Sequence, residues 1–219
     1  MFETAITLDQ FLAAMHDTLL MVSISLLLGS LLGIPLGILL VITRPGGLVH
    51  NRFFYRVINP IINVVRSLPF IILLISILPF TRLVVHTTIG TAGAIVPLII
   101  YIAPYIARLV ESSLLEINPG IIEAAKSMGA TPLQAIWHFL LPEALASLVL
   151  ALTTATIGLI GATAMAGTVG GGGIGDLAIT YGYQRFDTFA TVSTALVLII
   201  VVQGLQSLGN VISRRLRRE

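Results

Sequence analysis

Few residues in this sequence could do acid–base, nucleophilic or phosphate chemistry, and their contexts exclude most of it. Cysteine is absent, which removes disulfides, thiolate metal ligands and cysteine nucleophiles. Lys126 is the only lysine; the other eleven of the twelve cationic residues are arginines. A phosphate-binding loop or a Schiff base would have to use Lys126, and neither context surrounds it. His16, His50, His86 and His138 fall in different segments, with no pair at ligand spacing. Gly170, Gly172 and Gly175 match the spacing of a dinucleotide fingerprint, but no strand precedes them and no βαβ unit encloses them. Ser23, Ser25 and Ser76 lie in apolar stretches with no histidine or lysine at the same depth. An intramembrane hydrolase would therefore lack a convergent nucleophile and base.

The elements that hold these residues are set by hydrophobicity. Of 219 residues, 56% are hydrophobic and 10% charged, against about 25% charged in an ordinary soluble domain. Mean hydropathy is +1.01. Five spans of about 25 residues would use about 125 and leave about 94, too scattered for a soluble catalytic domain. The expected fold is an all-α integral membrane protein, a single transmembrane domain over residues 1–219. Its five spans lie near 18–42, 57–80, 89–112, 144–167 and 189–212. Prolines 35, 60, 69, 79, 97 and 104 fall inside spans, where neighbouring helices can satisfy the freed carbonyls, and they predict kinks.

Counting cations in alternate loops gives the orientation. Arg44, Arg52, Arg56, Arg108, Lys126 and the tail arginines 214, 215, 217 and 218 fall on one side. Arg82 and Arg185 fall on the other, with Asp176, Asp187 and an acidic N-terminus bearing Glu3, Asp9 and Asp17. The N-terminus is expected outside and the C-terminus in the cytoplasm, and the acidic start does not predict a cleavable signal peptide. The tail is expected to meet anionic headgroups.

Between the third and fourth spans, residues 113–142 form a cytoplasmic connection with strong punctuation. Asn118 can cap a helix beginning at Pro119, which ends at Gly129. Thr131 starts a second helix, with Pro132 first and Gln134 placed for a capping box. Pro142 is expected to end that helix and open span four. The first helix sets Ile121, Ile122, Ala125 and Met128 opposite Glu123, Lys126 and Ser127; the second presents Leu133, Ile136, Trp137 and Leu140. An amphipathic linker lying in the headgroups has this pattern too. The small Ala124, Ala125 and Gly129, however, suit close docking of a rigid elbow against another protein.

Glu123-Ala124-Ala125, then Gly129 after three further residues, then Leu141-Pro142, resembles the EAA loop of ABC importer permeases. The stretches Arg66 to Phe70, Tyr105 to Arg108, Gly170 to Gly175 and Tyr181 to Phe186 resemble the permeases of methionine importers. The resemblance implies a type I importer fold in a bacterial inner membrane, with two copies forming the pore. It implies two cytoplasmic ATPases that dock on the elbows and carry ATP and Mg, so that this chain binds no cofactor. It also implies a substrate-binding lipoprotein that delivers methionine from outside. Glu123 would meet the ATPase, Gly129 would supply the turn, and Ala124, Ala125 and Pro142 complete the coupling segment. Arg108 precedes Glu111, whereas several amino-acid permeases place the acid first, so no role is carried over to that pair. A permease for another small solute, or a self-sufficient secondary transporter, is the alternative. The second would normally show repeated halves or mid-span acids.

Five residues outside the elbow carry further expectations. Gly29, Gly33 and Gly37 form two GxxxG steps for close helix packing, within the subunit rather than at a dimer seam. Met165, among Ala162, Ala164, Ala166 and Gly167, is either a gap-filling packing residue or, paired across two subunits, the outer gate. Arg66 either lines the translocation path or sits near the cytoplasmic end of span two and snorkels to headgroups. The uncharged run that follows it favours the second placement.

Overall fold

The computed structural model describes residues 6–49 and 51–217; Glu3, His50 and Arg218 lie outside them. All the regular elements described are helical. Helix α1 covers Leu8–Thr43, α2 Arg52–Ser67, α3 Phe70–Ser76, α4 Leu78–Val85 and α5 Gly90–Leu115. Next come α6 (Pro119–Ser127), α7 (Pro132–Ala135), α8 (Leu141–Ala166), α9 (Gly173–Leu177) and α10 (Thr188–Leu216). A π turn, Ile136–Leu140, joins α7 to α8, and another, Ala178–Tyr183, follows α9. Four long helical segments among the described residues are apolar enough to cross a membrane. Helices α2 and α3 form a bent pair that passes the same test when taken together, as a broken span or a re-entrant loop would.

Helix α1 starts ten residues before the expected first span. A capping box between Thr7 and Gln10 nucleates it, with Asp9 in the first turn where the helix dipole favours an acid. Its 36 residues rise about 54 Å, well beyond a hydrocarbon thickness of about 30 Å. Hydropathy sees only the apolar portion of such a helix.

The second span is corrected more substantially. Instead of one helix over 57–80, the chain bends by 105° between α2 and α3. Pro69 sits at the bend as the residue before α3. Lacking an N–H, it cannot continue the ladder of α2, and it holds Leu68 in an extended conformation (ψ 127°). By contrast Pro35, Pro60, Pro97 and Pro104 lie within continuous helices.

The bundle is organised around α5, whose Leu98, Ile102, Ile106 and Val110 are fully buried. Helix α1 lies along it with glycines at the contact. A Cβ on Gly33 would come within 2.6 Å of the Ala103 carbonyl oxygen, and one on Gly37 within 2.5 Å of that of Ala107. A Cβ on Gly29 would collide with Ile102. This spacing lets the two backbones meet where lipid supplies no hydrophobic drive to associate. Helix α8 covers another side of α5. Helix α10 packs on α8, where the Ser213 hydroxyl donates to the Ala146 carbonyl at 2.9 Å.

The glycine-rich stretch after α8 turns the chain back into the bundle. Gly173 has φ +82°, and a Cβ there would sit 2.6 Å from the Thr18 hydroxyl oxygen. The next residue, Ile174, donates its buried N–H to that hydroxyl at 2.9 Å. A side chain at Gly173 is thus excluded both by conformation and by space.

Candidate functional site

Two features could do work: the elbow between α5 and α8, and a polar, small-residue face shared by α2, α5 and α8. The elbow is built as its sequence dictates locally. The Asn118 side chain accepts from the Gly120 N–H at 2.9 Å, with Pro119 first in α6. Gly129 takes φ +72° just past the helix end, and the Gly129 and Ala130 N–H groups close onto the Lys126 and Ala125 carbonyls at 3.0 Å each. Thr131 then accepts from the Gln134 N–H at 3.3 Å while the Gln134 side chain accepts from the Thr131 N–H at 2.9 Å. These caps fix the angle between α6 and α7.

Pro142 does not end the second helix. The helical segment is continuous from Pro132 to Val169, 38 residues. Because Pro142 has no N–H to donate back to His138, the backbone widens into the π turn, and Leu141 N–H bonds Ile136 O instead. The second half of the elbow, α7, is therefore continuous with the α8 rod, and α6 is set at an angle to it by the Gly129 turn.

The apolar faces of the elbow also divide differently from a simple amphipathic pattern. Ala125 is fully buried, and Ile136 and Leu140 join it inside, whereas Met128, Leu133 and Trp137 are each more than 60% exposed. Ala125 thus anchors α6 to the bundle and offers no surface to a partner. Glu123, Ala124 and Gly129 remain exposed. What is left outward is a charged and apolar knob: Glu123 and Lys126 on α6, with Met128, Leu133 and Trp137 beside them.

The second feature lies within the bundle. On α8, Thr154, Gly161, Met165 and Thr168 are exposed and Gly158 half-exposed, at helical spacings of three and four. On α5 the open positions are Tyr101, Tyr105, Arg108 and Ser112. Tyr105 links the two helices: its ring edge lies 4.0 Å from where a Cβ on Gly158 would stand. Arg108 donates to Glu111 at 2.5 Å and to the side-chain oxygens of Asn59 and Asn63 on α2 at 2.7 and 2.6 Å. Glu111 is 5% exposed and its charge is paired with Arg108, as burial demands; the Nε of Arg108 is buried without a hydrogen-bond partner among the described residues.

Arg66 is not near the start of the broken span. It stands in the last turn of α2, fourteen residues past Arg52 and about 21 Å along the helix. Its guanidinium carbon lies 6.0 Å from the centre of the Tyr105 ring. Tyr105 is residue 16 of the 26 in α5. The uncharged run following Arg66 belongs to α3, beyond a right-angle bend that hydropathy does not register, and Arg66 itself faces the aromatic side of α5.

The charges at the end opposite the elbow are engaged locally. Asp187 caps α10 by accepting from the Ala190 N–H at 3.0 Å, and Arg185 lies over the Tyr181 ring at 4.5 Å. No group of three or more His, Asp or Glu suited to a metal occurs among the described residues. Sequence reasoning missed the Asn59–Asn63–Arg108–Glu111 cluster. Its one signal was the i, i+4 pair of asparagines on an otherwise apolar span.

Comparison with known proteins supports the family. Residues 33–218 match the model of the binding-protein-dependent transport system inner membrane component family. The probable D-methionine transport system permease protein MetI of Vibrio cholerae is 48% identical over 211 residues, covering 96% of this chain and 94% of that one. The corresponding permease of Escherichia coli K12 is 51% identical over 151 residues, 69% of this chain and 70% of that one. Among solved structures, an inward-facing MetNI methionine ABC transporter matches with a TM-score of 0.94 at 44% identity, covering 96% of this chain and 98% of that one. An amino acid ABC transporter shares the fold at a TM-score of 0.77 and 19% identity. With the elbow, the glycine-packed bundle and these matches in hand, the chain belongs to the inner membrane components of binding-protein-dependent transport systems.

Proposed function

We propose that two copies of this chain form the translocation path of an ATP-driven importer that carries methionine inward by alternating access. The ATP and Mg chemistry belongs to two cytoplasmic ATPase subunits, and an extracytoplasmic lipoprotein delivers the substrate. The reading places the elbow and the arginine-bearing tail in the cytoplasm and the N-terminus outside, in accord with the cation asymmetry. Methionine rests on the relatives, whose printed names assign it to them.

The observation that carries the mechanism is the unbroken run of helix from the elbow into the membrane. An ATPase gripping the exposed Glu123, Ala124 and Met128 surface can rotate α7 and α8 as one rod. Gly129 sets the angle at which α6 presents Glu123. On the small-residue face, two facing Met165 side chains close the outer end of the path. Met165 is 51% exposed on the isolated chain, and it is the bulky, deformable member of a stripe otherwise made of Thr and Gly, as a releasable plug requires.

The test is reconstitution with the partner ATPase and binding protein. Glu123→Arg is expected to weaken ATPase association and lower uptake at least tenfold, while the variant chain inserts normally. Undiminished association and uptake would overturn the coupling assignment.

A further inference from the structure

Two arginines stand on neighbouring helices, and only one of them is neutralised. Arg108 is held by Glu111, Asn59 and Asn63. Arg66, one turn beyond Asn63 on α2, is exposed and makes no ion pair or hydrogen bond with the described residues. Its one contact of note is the Tyr105 ring. Tyr105 stacks on Tyr101 at 6.4 Å between centroids and 11° between planes. Phe70 in turn meets Tyr101 edge-on at 5.2 Å. An aromatic column thus backs the guanidinium by cation–π attraction and leaves its N–H fork unfilled.

Depth makes this arrangement informative. Tyr105 lies about 15 Å from the elbow end of α5 and about 22 Å from its other end. A cation this far into a spanning helix faces the bundle interior or a water-filled path. The neighbouring surface agrees: Tyr105 abuts Gly158, and the face continues through Gly161 to Met165, about 10 Å farther from the elbow.

We propose that Arg66, backed by Tyr105, is a carboxylate-binding station in the translocation path, engaging the α-carboxylate of an amino-acid substrate on the elbow side of Met165. The inference rests on the importer reading above and gives it a site within the membrane chain. The planar fork of five N–H donors matches a carboxylate in two-point geometry. An acidic neighbour such as Glu111 would occupy that fork permanently. An aromatic backing steadies the guanidinium and places no protein carboxylate in the fork, so an arriving substrate competes with no acidic side chain for it. The bare backbone at Gly158 and Gly161 leaves room beside the fork for an unbranched side chain.

The absence of cysteine makes the test clean. Arg66→Cys is assembled with the ATPase and binding protein in lipid vesicles, and radiolabelled methionine uptake is read with the wild-type permease as control. Uptake is expected to fall at least tenfold. Modification with an aminoethyl thiosulfonate, which restores a positive charge, should recover at least fivefold; neutral methyl or anionic sulfonatoethyl adducts should recover none. If Arg66→Cys fails to assemble, the same ranking is read from Arg66→Lys, which keeps the charge and loses the two-point fork. It is expected below wild type but at least threefold above Arg66→Met, itself expected at least tenfold below wild type. Uptake that is insensitive to charge, as expected if Arg66 held a lipid phosphate, overturns the inference and leaves the importer reading standing. Absent methionine uptake in the wild-type assembly overturns the importer reading and this inference with it.

Discussion

Two surfaces of this molecule are equally open on the isolated chain and opposite in chemistry. The outer sides of α1 and α10 expose Leu27, Leu31, Leu196, Ile199 and Ile200. The face shared by α2, α5 and α8 exposes Arg66, Thr154, Gly161 and Thr168, with Met165 as its large apolar member. Branched aliphatic side chains are what acyl chains accept as neighbours. Glycine, threonine and arginine at the same depth call for a neighbour able to pack closely or to carry water. The difference separates a face suited to lipid from one suited to close packing or water. Exposure alone could not.

The comparison can be broken in four ways, ordered by the size of the expected effect. Arg108→Ala leaves Glu111 charged, buried and unpaired, and is expected to destabilise the chain by about 3 to 5 kcal/mol. Thermal unfolding of the purified permease measures it; a loss near zero would show that the polar cluster is hydrated and not buried. Ile200→Arg on the aliphatic face should cost about 2.5 to 3.5 kcal/mol of insertion free energy. Thr154→Arg on the small-residue face should insert at near wild-type yield. Equal yields in membrane fractions would erase the distinction between the two faces.

The remaining two concern small residues. Gly33→Ala drives a methyl group into the Ala103 carbonyl and is expected to destabilise by about 1 to 3 kcal/mol, as overpacking does. Gly161→Ala meets open space and should leave stability unchanged or raise it by up to about 1 kcal/mol through helix propensity. Paired melting curves decide between a packing glycine and a pore-facing one. Met165→Ala should move stability least, within about 0.5 kcal/mol as at an exposed site. It should nonetheless raise substrate-independent permeation through the assembled importer. A tight vesicle with Met165→Ala would remove the gate.

Local signals in the chain were legible because they act over a few residues. The Asn118 and Thr131 caps, the Gly129 stop and the elbow between α5 and α8 all follow from side chains that bond their own backbone neighbours. The course of the second span was not legible. Hydropathy averages over Arg52 to Val85 and is blind to direction, so a 105° bend at Pro69 leaves its profile unchanged. Proline is likewise ambiguous without context: Pro69 breaks a helix, Pro142 widens one into a π turn, and Pro97 sits inside one.

The sequence by itself determined that this chain lives in a membrane and that it bears a capped two-helix elbow before its fourth span. Those properties are sums over residue types or interactions within four residues of the backbone. Only the tertiary structure decided that α7 is one rod with α8 and that Ala125 faces inward. It alone decided that Arg108 is hydrogen-bonded by asparagines 45 and 49 positions away while Arg66 is left open. Such pairings depend on which helix faces lie against each other. Among nearly uniform apolar helices that choice is made by shape, through Gly33 and Gly37 against α5, and shape is not written in hydropathy.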